Sequence, residues 1–305
     1  MESLISSGHG LCSIELGPEG IAFANAPNPN NLEISACGFY PYQFGSSPDV
    51  SKLRDQLLQV VSQNGLKKTK CVWILHPSYY RLTLIGTPNV PQAEYKKAIR
   101  WQIKDIINYS LEDTAVDIFY PDEPERSLKK IYVIAAQSSF LKNIANTIQD
   151  CGLYLEAIDT REFAIRNLIT DLSKPGETTG LLNIIDESCL MMSVKQSNVQ
   201  FVRRFPVNAN NIKAGNYSDL MSEIQRSFNY CQTELKQEIP TKFVIPPDAI
   251  LDKNVAQEIA KNLNKEVNIL NLQEVVRYKK PLDQQMEPRC WIAIGGVLRN
   301  ARQSK

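Results

Sequence analysis

The chain has 305 residues, of which 43% are hydrophobic and 22% charged, and its net charge is +1. That length suits about two domains, each able to bury its own core, and the near-zero charge supplies no global field for nucleic acid or an anionic membrane. No run reaches the roughly 18 apolar residues of a membrane span, Met1–His9 lacks the pattern of a secretory signal, and seven scattered cysteines without a C-x-x-C pair predict reduced thiols in a cytosolic protein.

The first fifteen-residue stretch to stand out is Gly10–Ala24, an apolar run ending on Glu15 and Leu16, a turn at Gly17-Pro18-Glu19-Gly20, and a second apolar run. That is a β-hairpin pattern. Leu32–Tyr40 reads as a third strand. Asp49 opens a helix with Val50, Leu53, Leu57, Val60 and Val61 on one face, closed by Asn64-Gly65. Cys71–Leu75 then suits a buried strand. The β-β-β-α-β order is the opening of a ribonuclease-H-like layer.

Tyr80–Gly86 alternates as a strand, and Pro88 and Pro91 break the chain after it. A helix over about Gln92–Asn108 places Tyr95, Ile99, Ile103 and Ile106 on one face. Trp101 lies roughly 160–200° from Ile99 and Ile103 at 100° per residue. Val116, Ile118 and Tyr120 alternate as a strand, and the block Tyr79–Leu128 reads as a subdomain inserted into the first domain. The first domain resumes with a strand at Ile131–Ala135, a helix at Ser138–Cys151 and a strand at Leu155–Ile158. Thr160 is placed to cap a helix over Arg161–Leu172. Lys174–Thr179, polar with a Pro-Gly pair, is the domain boundary.

The second half repeats the order. Strands are expected at Leu181–Asp186, Cys189–Lys195 and Val199–Phe205, followed by a helix with Leu220, Ile224, Phe228, Cys231 and Leu235 on one stripe. A strand at Lys242–Ile245, a helix at Asn254–Leu263 and a strand at Glu266–Leu270 come next. Gly180–Val194 echoes the first hairpin about 170 residues later, with Asp186 at the end of its first strand. The pattern suggests a duplicated domain with a cleft between the halves. On pattern alone the plainer reading stays open, because hairpins with an acid at the turn are common. The expected layout is 1–173 and 180–290 for the two domains, with a terminal helix in 291–305. Gly295-Gly296 in that helix implies a close backbone approach.

Several stretches resemble the PilM family of actin-like type IV pilus assembly proteins, and within it the mannose-sensitive haemagglutinin (MSHA) branch, MshI. They are IELGPEGIAFA at Ile14–Ala24, VPQAEYKKAIRWQIKDIINYSLEDTAVDIFY at Val90–Tyr120 and IYVIAAQSSFLKNI at Ile131–Ile144. GLYLEAIDTREFAIRNL at Gly152–Leu168 and EIQRSFNYCQ at Glu223–Gln232 complete the set. The resemblance is weakest over Lys236–Arg289. It implies an α/β, actin-like fold of two ribonuclease-H-like domains, with an α/β subdomain inserted in the first. It also implies a cytoplasmic place, peripheral at the inner face of the inner membrane, without a span of its own. The implied partners are the cytoplasmic tail of a PilN-like inner-membrane protein and other components of the pilus platform; no nucleic acid is implied.

Actin-like ATPases hold phosphates on their two hairpin turns, through backbone N–H groups and an acid near Mg²⁺. The positions that match here are Glu15 and Gly17 in the first turn and Asp186 in the second, with Gly295 late in the chain. Each motif is degraded. Pro18 removes a backbone donor, Glu187 sets a carboxylate where a Gly is usual, and Pro246-Pro247 replaces the Gly-Gly of the adenosine loop. ATP and Mg²⁺ are therefore expected to bind weakly or not at all, and hydrolysis is not expected. For the partner peptide, Arg81, Arg100 and Trp101 are the candidates, in a groove between the first sheet and the inserted subdomain. The alternative is that Trp101 packs on Tyr80–Gly86 as a second core edge. Lys67-Lys68 with Lys70, Lys129-Lys130, Arg203-Arg204 and Lys279-Lys280 read as solvated faces, the alternative being that one of them faces anionic lipid headgroups. The reading is a non-enzymatic scaffold. Its rivals are an actin-like ATPase switch and the cytoplasmic module of a type II secretion system, the latter disfavoured because no membrane span precedes Lys305.

Overall fold

The structure, a computed structural model, describes residues 10–17, 19–28, 31–42, 50–121, 130–185, 187–247, 253–279 and 286–299. Asp49, Leu128, Lys129, Lys280 and Arg302, named above, lie outside the described residues.

The first sheet begins with the antiparallel hairpin β1 (Leu11–Gly17) and β2 (Gly20–Ala26), in which Glu15 faces Ala22. The strand expected at 32–40 is two strands, β3 (Glu33–Ile34) and β4 (Ala36–Pro41). They part at Ser35, whose N–H (2.9 Å) and hydroxyl (3.1 Å) both donate to the Asn25 carbonyl. Helix α1 (Val50–Gln63) leads to β5 (Lys70–Leu75), which runs parallel to β1.

The insert comes next, as β6 (Tyr80–Gly86), α2 (Tyr95–Gln102), β7 (Thr114–Phe119) and β8 (Lys130–Gln137). Its sheet order is β6-β8-β7, all antiparallel. The central strand β8 thus carries the sheet past the 128 boundary read from sequence. The helix expected over 92–108 is also shorter: a 3₁₀ turn at Gln92–Glu94 precedes α2, and α2 stops at Gln102. The residues beyond it, Asp105-Ile106-Ile107-Asn108, have low helix propensity.

Helix α3 (Ser138–Asp150) and strand β9 (Tyr154–Thr160) complete the first sheet, order β4-β2-β1-β5-β9. Helix α4 (Arg161–Ile169) leads to the second sheet. That sheet begins with β10 (Thr178–Ile185), β11 (Ser188–Lys195) and β12 (Asn198–Pro206). After α5 (Ala209–Lys213) and α6 (Ser218–Thr233) come β13 (Lys242–Ile245), α7 (Lys253–Leu263) and β14 (Glu266–Ile269). Its order, β12-β11-β10-β13-β14, repeats the first sheet strand for strand. β15 (Arg277–Tyr278) pairs with β3, and α8 (Glu287–Val297) closes the described chain.

Four apolar clusters show how the layers stack. α1 and α3 cover one face of the first sheet through Leu53, Leu57, Ile144 and Ile148, against Ile14 and Trp73. α4 and α8 fill the space between the sheets, with Ile165, Leu168, Trp291 and Ile294 packed on Val72, Ile74, Leu181 and Met192. α6 and α7 cover the far face of the second sheet. In the insert, Ile99 and Ile103 of α2 pack on Ile131, Val133 and Ala135 of β8.

The sequence pattern marks the insert as a subdomain of the first domain, but its contacts tie it to the second domain. The Tyr132 hydroxyl accepts from Val202 N (2.9 Å) and faces Val202 O (3.3 Å) on β12. Lys130 Nζ lies 3.1 Å from both the Tyr230 hydroxyl and Glu234 Oε2 on α6. The Tyr132 ring stacks on Phe119 (4.8 Å between centroids), and Phe119 meets Phe163 of α4 edge-on. None of the described helices is long and apolar enough to cross a membrane. All seven cysteines are free, and six of them are buried.

Candidate functional site

Two places concentrate chemistry: the cleft where the two domains meet, and a cavity between the insert and the first sheet.

The cleft lies where β1 ends, β5 gives way to His76 and α4 begins. Glu15 is 6% exposed, and its Oε1 lies 2.7 Å from Arg161 Nε at the first turn of α4. Burial raises the Glu15 pKa, and the attraction of Arg161 only partly offsets that rise. The next residue, Glu162, is 1% exposed. Its Oε2 accepts from the Tyr80 hydroxyl (2.5 Å), and its Oε1 accepts from Arg204 Nη2 (2.8 Å). Tyr80 stands on β6, Glu162 on α4 and Arg204 on β12, so one buried carboxylate joins the insert, the first domain and the second. Burial, then the Glu162 charge, pushes the Tyr80 phenol well up. His76 is held down to about 4 by burial and then by Arg161 and Arg204. Its Nδ1 accepts from Ser78 N at 3.3 Å, as a neutral imidazole can.

Among the described residues, this donor set does not suit Mg²⁺–nucleotide. A magnesium site needs an ionised carboxylate open to water, whereas Glu15 is buried and carries a guanidinium on Oε1. Gly17 ends β1 opposite Gly20, while Pro18 and Asp186 lie outside the described residues. Glu187 is exposed beside a cavity edged by Asp219, Glu223 and Arg226. Gly295 serves packing: a β-carbon there would lie 2.3 Å from the Ala164 carbonyl oxygen, and Asn167 Nδ2 donates to the Gly295 carbonyl at 2.9 Å. Its neighbour Gly296 meets Ser13 and Ile74 in the same way. Among the described residues no group of three His, Cys, Asp or Glu side chains is placed to hold a metal.

The second place is a cavity of about 280 Å³. Three consecutive residues of β7, Ala115, Val116 and Asp117, line one side, and Ile158, Asp159 and Thr160 of β9 line the other. Consecutive residues of a strand point to opposite faces, so β7 presents its edge. β7 and β9 are each the end strand of their sheets. Phe163 and Arg166 of α4, with Arg299, close the third side. Arg299 Nη1 pairs with Asp159 Oδ2 at 2.5 Å. Burial raises the Asp159 pKa against the opposing pull of Arg299. Thr160 does not cap α4 with its side chain as expected: the Thr160 N–H instead donates to Asp159 Oδ1 (2.9 Å), and the buried Thr160 Oγ1 has no hydrogen-bond partner.

Arg81, Arg100 and Trp101 do not line this cavity. Side chains of β8 alternate, with Val133 and Ala135 toward α2, and Ile134 and Ala136 toward the cavity. α2 therefore sits on the opposite face of the insert sheet. Trp101 is 62% exposed there, which excludes the core-edge alternative. Arg100 Nε donates to the Thr114 carbonyl at 3.0 Å, fastening α2 to β7. Arg81 is exposed on β6, near Tyr109.

No family model and no curated protein sequence matches the chain. Among solved structures it is similar to a PilM–PilN type IV pilus biogenesis complex, with TM-score 0.74, 17% identity, and 95% of this chain and 98% of that one covered. It is also similar to a Bacteroides thetaiotaomicron protein of actin-like ATPase fold, with TM-score 0.52, 12% identity and coverage of 95% and 99%. A third is the cytoplasmic domain of EpsL, an inner-membrane component of the Vibrio cholerae type II secretion system, with TM-score 0.50, 11% identity and coverage of 97% and 95%. These likenesses, with the duplicated sheet order, establish the fold: the chain is an α/β protein of the actin-like class.

Proposed function

We propose that the protein is a non-enzymatic, actin-like scaffold of a type IV pilus platform, and that the cavity between β7 and β9 receives the cytoplasmic tail of a PilN-like inner-membrane protein. The observation that carries the reading is the cavity itself, bounded by two sheet edges. An extended peptide can add its backbone hydrogen bonds to such an edge while its side chains enter apolar pockets. Thr160 Oγ1, buried without a partner, supplies a further polar contact for the incoming chain. Support for the partner comes from the fold shared with the PilM–PilN complex along 95% of this chain. The MSHA branch rests on the sequence stretches at Val90–Tyr120 and Gly152–Leu168.

In the cleft, the ion pairs of Glu15 with Arg161 and of Glu162 with Arg204 support a role without ATP hydrolysis. Arg161 pairs with Glu15, the acid that matches the metal-side position of the first turn. On this reading the place of work is cytoplasmic, beneath the inner membrane.

The test begins with capture from solubilised inner membranes, using the intact protein as bait. The cytoplasmic tail of each captured membrane protein is then measured as a synthetic peptide by calorimetry. A micromolar peptide affinity that Ala115→Trp abolishes, with melting unchanged, supports the reading. Peptide binding indifferent to Ala115→Trp removes the cavity from it. Micromolar ATP–Mg²⁺ affinity, about −8 kcal/mol, restores the switch reading.

A further inference from the structure

The large apolar side chains exposed among the described residues are Val90 (36%), Trp101 (62%), Ile106 (43%) and Tyr154 (58%). Three of these four fall on or beside α2. The same stretch carries Lys96, Lys97, Arg100 and Lys104 against two acids, Glu94 and Asp105. The helix turns Ile99 and Ile103 onto the sheet. Lys97 and Trp101, four residues apart, share the opposite side, and Lys104 lies in the turn beyond. Lys96 leans toward Asp117 (3.7 Å) and Arg100 is bound to Thr114, so Lys97 and Lys104 are the exposed cations that flank the indole.

A single helix laid on a three-stranded sheet is convex, and none of the exposed apolar groups on it lines the cavity beside β7. A convex face with an exposed indole flanked by lysines suits a plane of anionic headgroups. Indole rings settle at the depth of the membrane interface, and lysines meet phosphates. A second copy of the chain fits poorly, because two basic faces would repel.

We propose that the α2 face of the insert rests on an anionic lipid surface, with Trp101 at the interface and Lys97 and Lys104 on headgroup phosphates. The peptide cavity opens on the other face of the same sheet. Lipid contact is therefore independent of the function proposed above, and the two can fail separately.

The chain carries its own probe. Trp73 and Trp291 are 1% and 2% exposed, so any change of indole emission on adding vesicles reports Trp101. The intact protein is titrated with neutral phosphatidylcholine vesicles and with vesicles containing about a third phosphatidylglycerol, at low salt. A blue shift and co-flotation with the anionic vesicles only are expected. Both should fade at high salt, and Trp101→Ala should lose the shift. Lys97→Glu with Lys104→Glu should weaken partitioning by more than tenfold, at about fivefold per lysine removed. Trp101 is exposed, so the melting temperature of each variant should match the parent and rule out misfolding. No shift and no flotation with anionic vesicles overturns the proposal. A concentration-dependent dimer abolished by Trp101→Ala, without vesicle binding, overturns it in favour of a second copy. Loss of partner-peptide affinity in Trp101→Ala, again without vesicle binding, overturns it in favour of a protein partner.

Discussion

Arg204→Ala is the sharpest test of the joint between domains. Glu162 is 1% exposed and has two close partners, the Tyr80 hydroxyl at 2.5 Å and Arg204 Nη2 at 2.8 Å. Removing the guanidinium leaves a buried carboxylate held by one neutral donor. Breaking a buried pair in this way costs about 3–5 kcal/mol. The Arg204 side chain is 34% exposed, so water can enter the vacated space and the loss falls near the lower end, about 3 kcal/mol. At roughly 2–3 °C per kcal/mol for a protein of this size, melting should drop by about 6–9 °C. Two packed domains need not melt as one unit. Calorimetry should therefore be joined with hydrogen exchange, where protection is lost first at β12 and the first turn of α4. Glu162→Gln completes a double-mutant cycle. With Arg204 present it sets an amide against a guanidinium; with Arg204 absent it removes the orphaned charge, so the two effects should be less than additive. An Arg204→Ala protein that melts within about 1 °C of the parent, with an additive cycle, would refute a load carried by this carboxylate.

His76 gives a pH signature. Its folded pKa of about 4 lies below the unfolded value, so its contribution is complete above about pH 6.5 and is lost as pH falls toward 4, at most about 3 kcal/mol in all and less by the solvent screening of a half-buried ring. His76→Asn should lose less stability than the parent between pH 7.5 and 4.5; equal losses would count against the half-buried neutral imidazole. Glu15 works the other way: its pKa is raised, so its contribution is present below the unfolded value and is lost as pH rises through the folded one. Glu15→Gln should accordingly gain on the parent in melting temperature as pH rises from about 4 to 7. Gly295→Ala forces a methyl against the Ala164 carbonyl and should cost at least about 2 kcal/mol, read as a lower denaturant midpoint; an unchanged midpoint would mean that α8 and α4 can separate freely.

The fold was legible where local pattern and tertiary role agree. The two hairpins, the apolar stripes of α1 and α6, and the buried strands β5 and β13 each carry a periodicity that packing then uses. Legibility failed where a long-range partner decides. Nothing near Lys130–Gln137 shows that it is the middle strand of the insert; it reads as a buried strand and would read the same in either sheet. The break at Ser35 depends on the Asn25 carbonyl, ten residues away. Tyr132 reads as one more core aromatic, and only its docking on β12 binds the insert to the second domain.

The sites were less legible than the fold, for a physical reason. Motif reasoning looks for residues that a ligand would need, and here it pointed to Glu15 and the two hairpin turns. It says nothing about which partners the charged side chains find in the folded chain. Arg161 and Glu162 are adjacent in sequence and reach different partners: Arg161 turns to Glu15 on β1, while Glu162 turns to Tyr80 and Arg204. Their sequence separations from those partners range from 42 to 146 residues. Arg204, read as part of a solvated basic pair, instead meets a carboxylate that is almost fully buried. A signal did exist in the adjacent opposite charges at the head of an otherwise apolar helix. Two ionised residues before Phe163-Ala164-Ile165 either face water or find partners inside, and in a helix that joins two domains the inside is the cleft. The same reasoning separates Trp101 from the cavity between β7 and β9. Its angle from Ile99 and Ile103 correctly turned it away from the core, but only the alternation of β8 shows that the cavity lies on the other face of the sheet. An exposed indole between lysines is then a surface feature in its own right, and its chemistry is that of an interface with lipid.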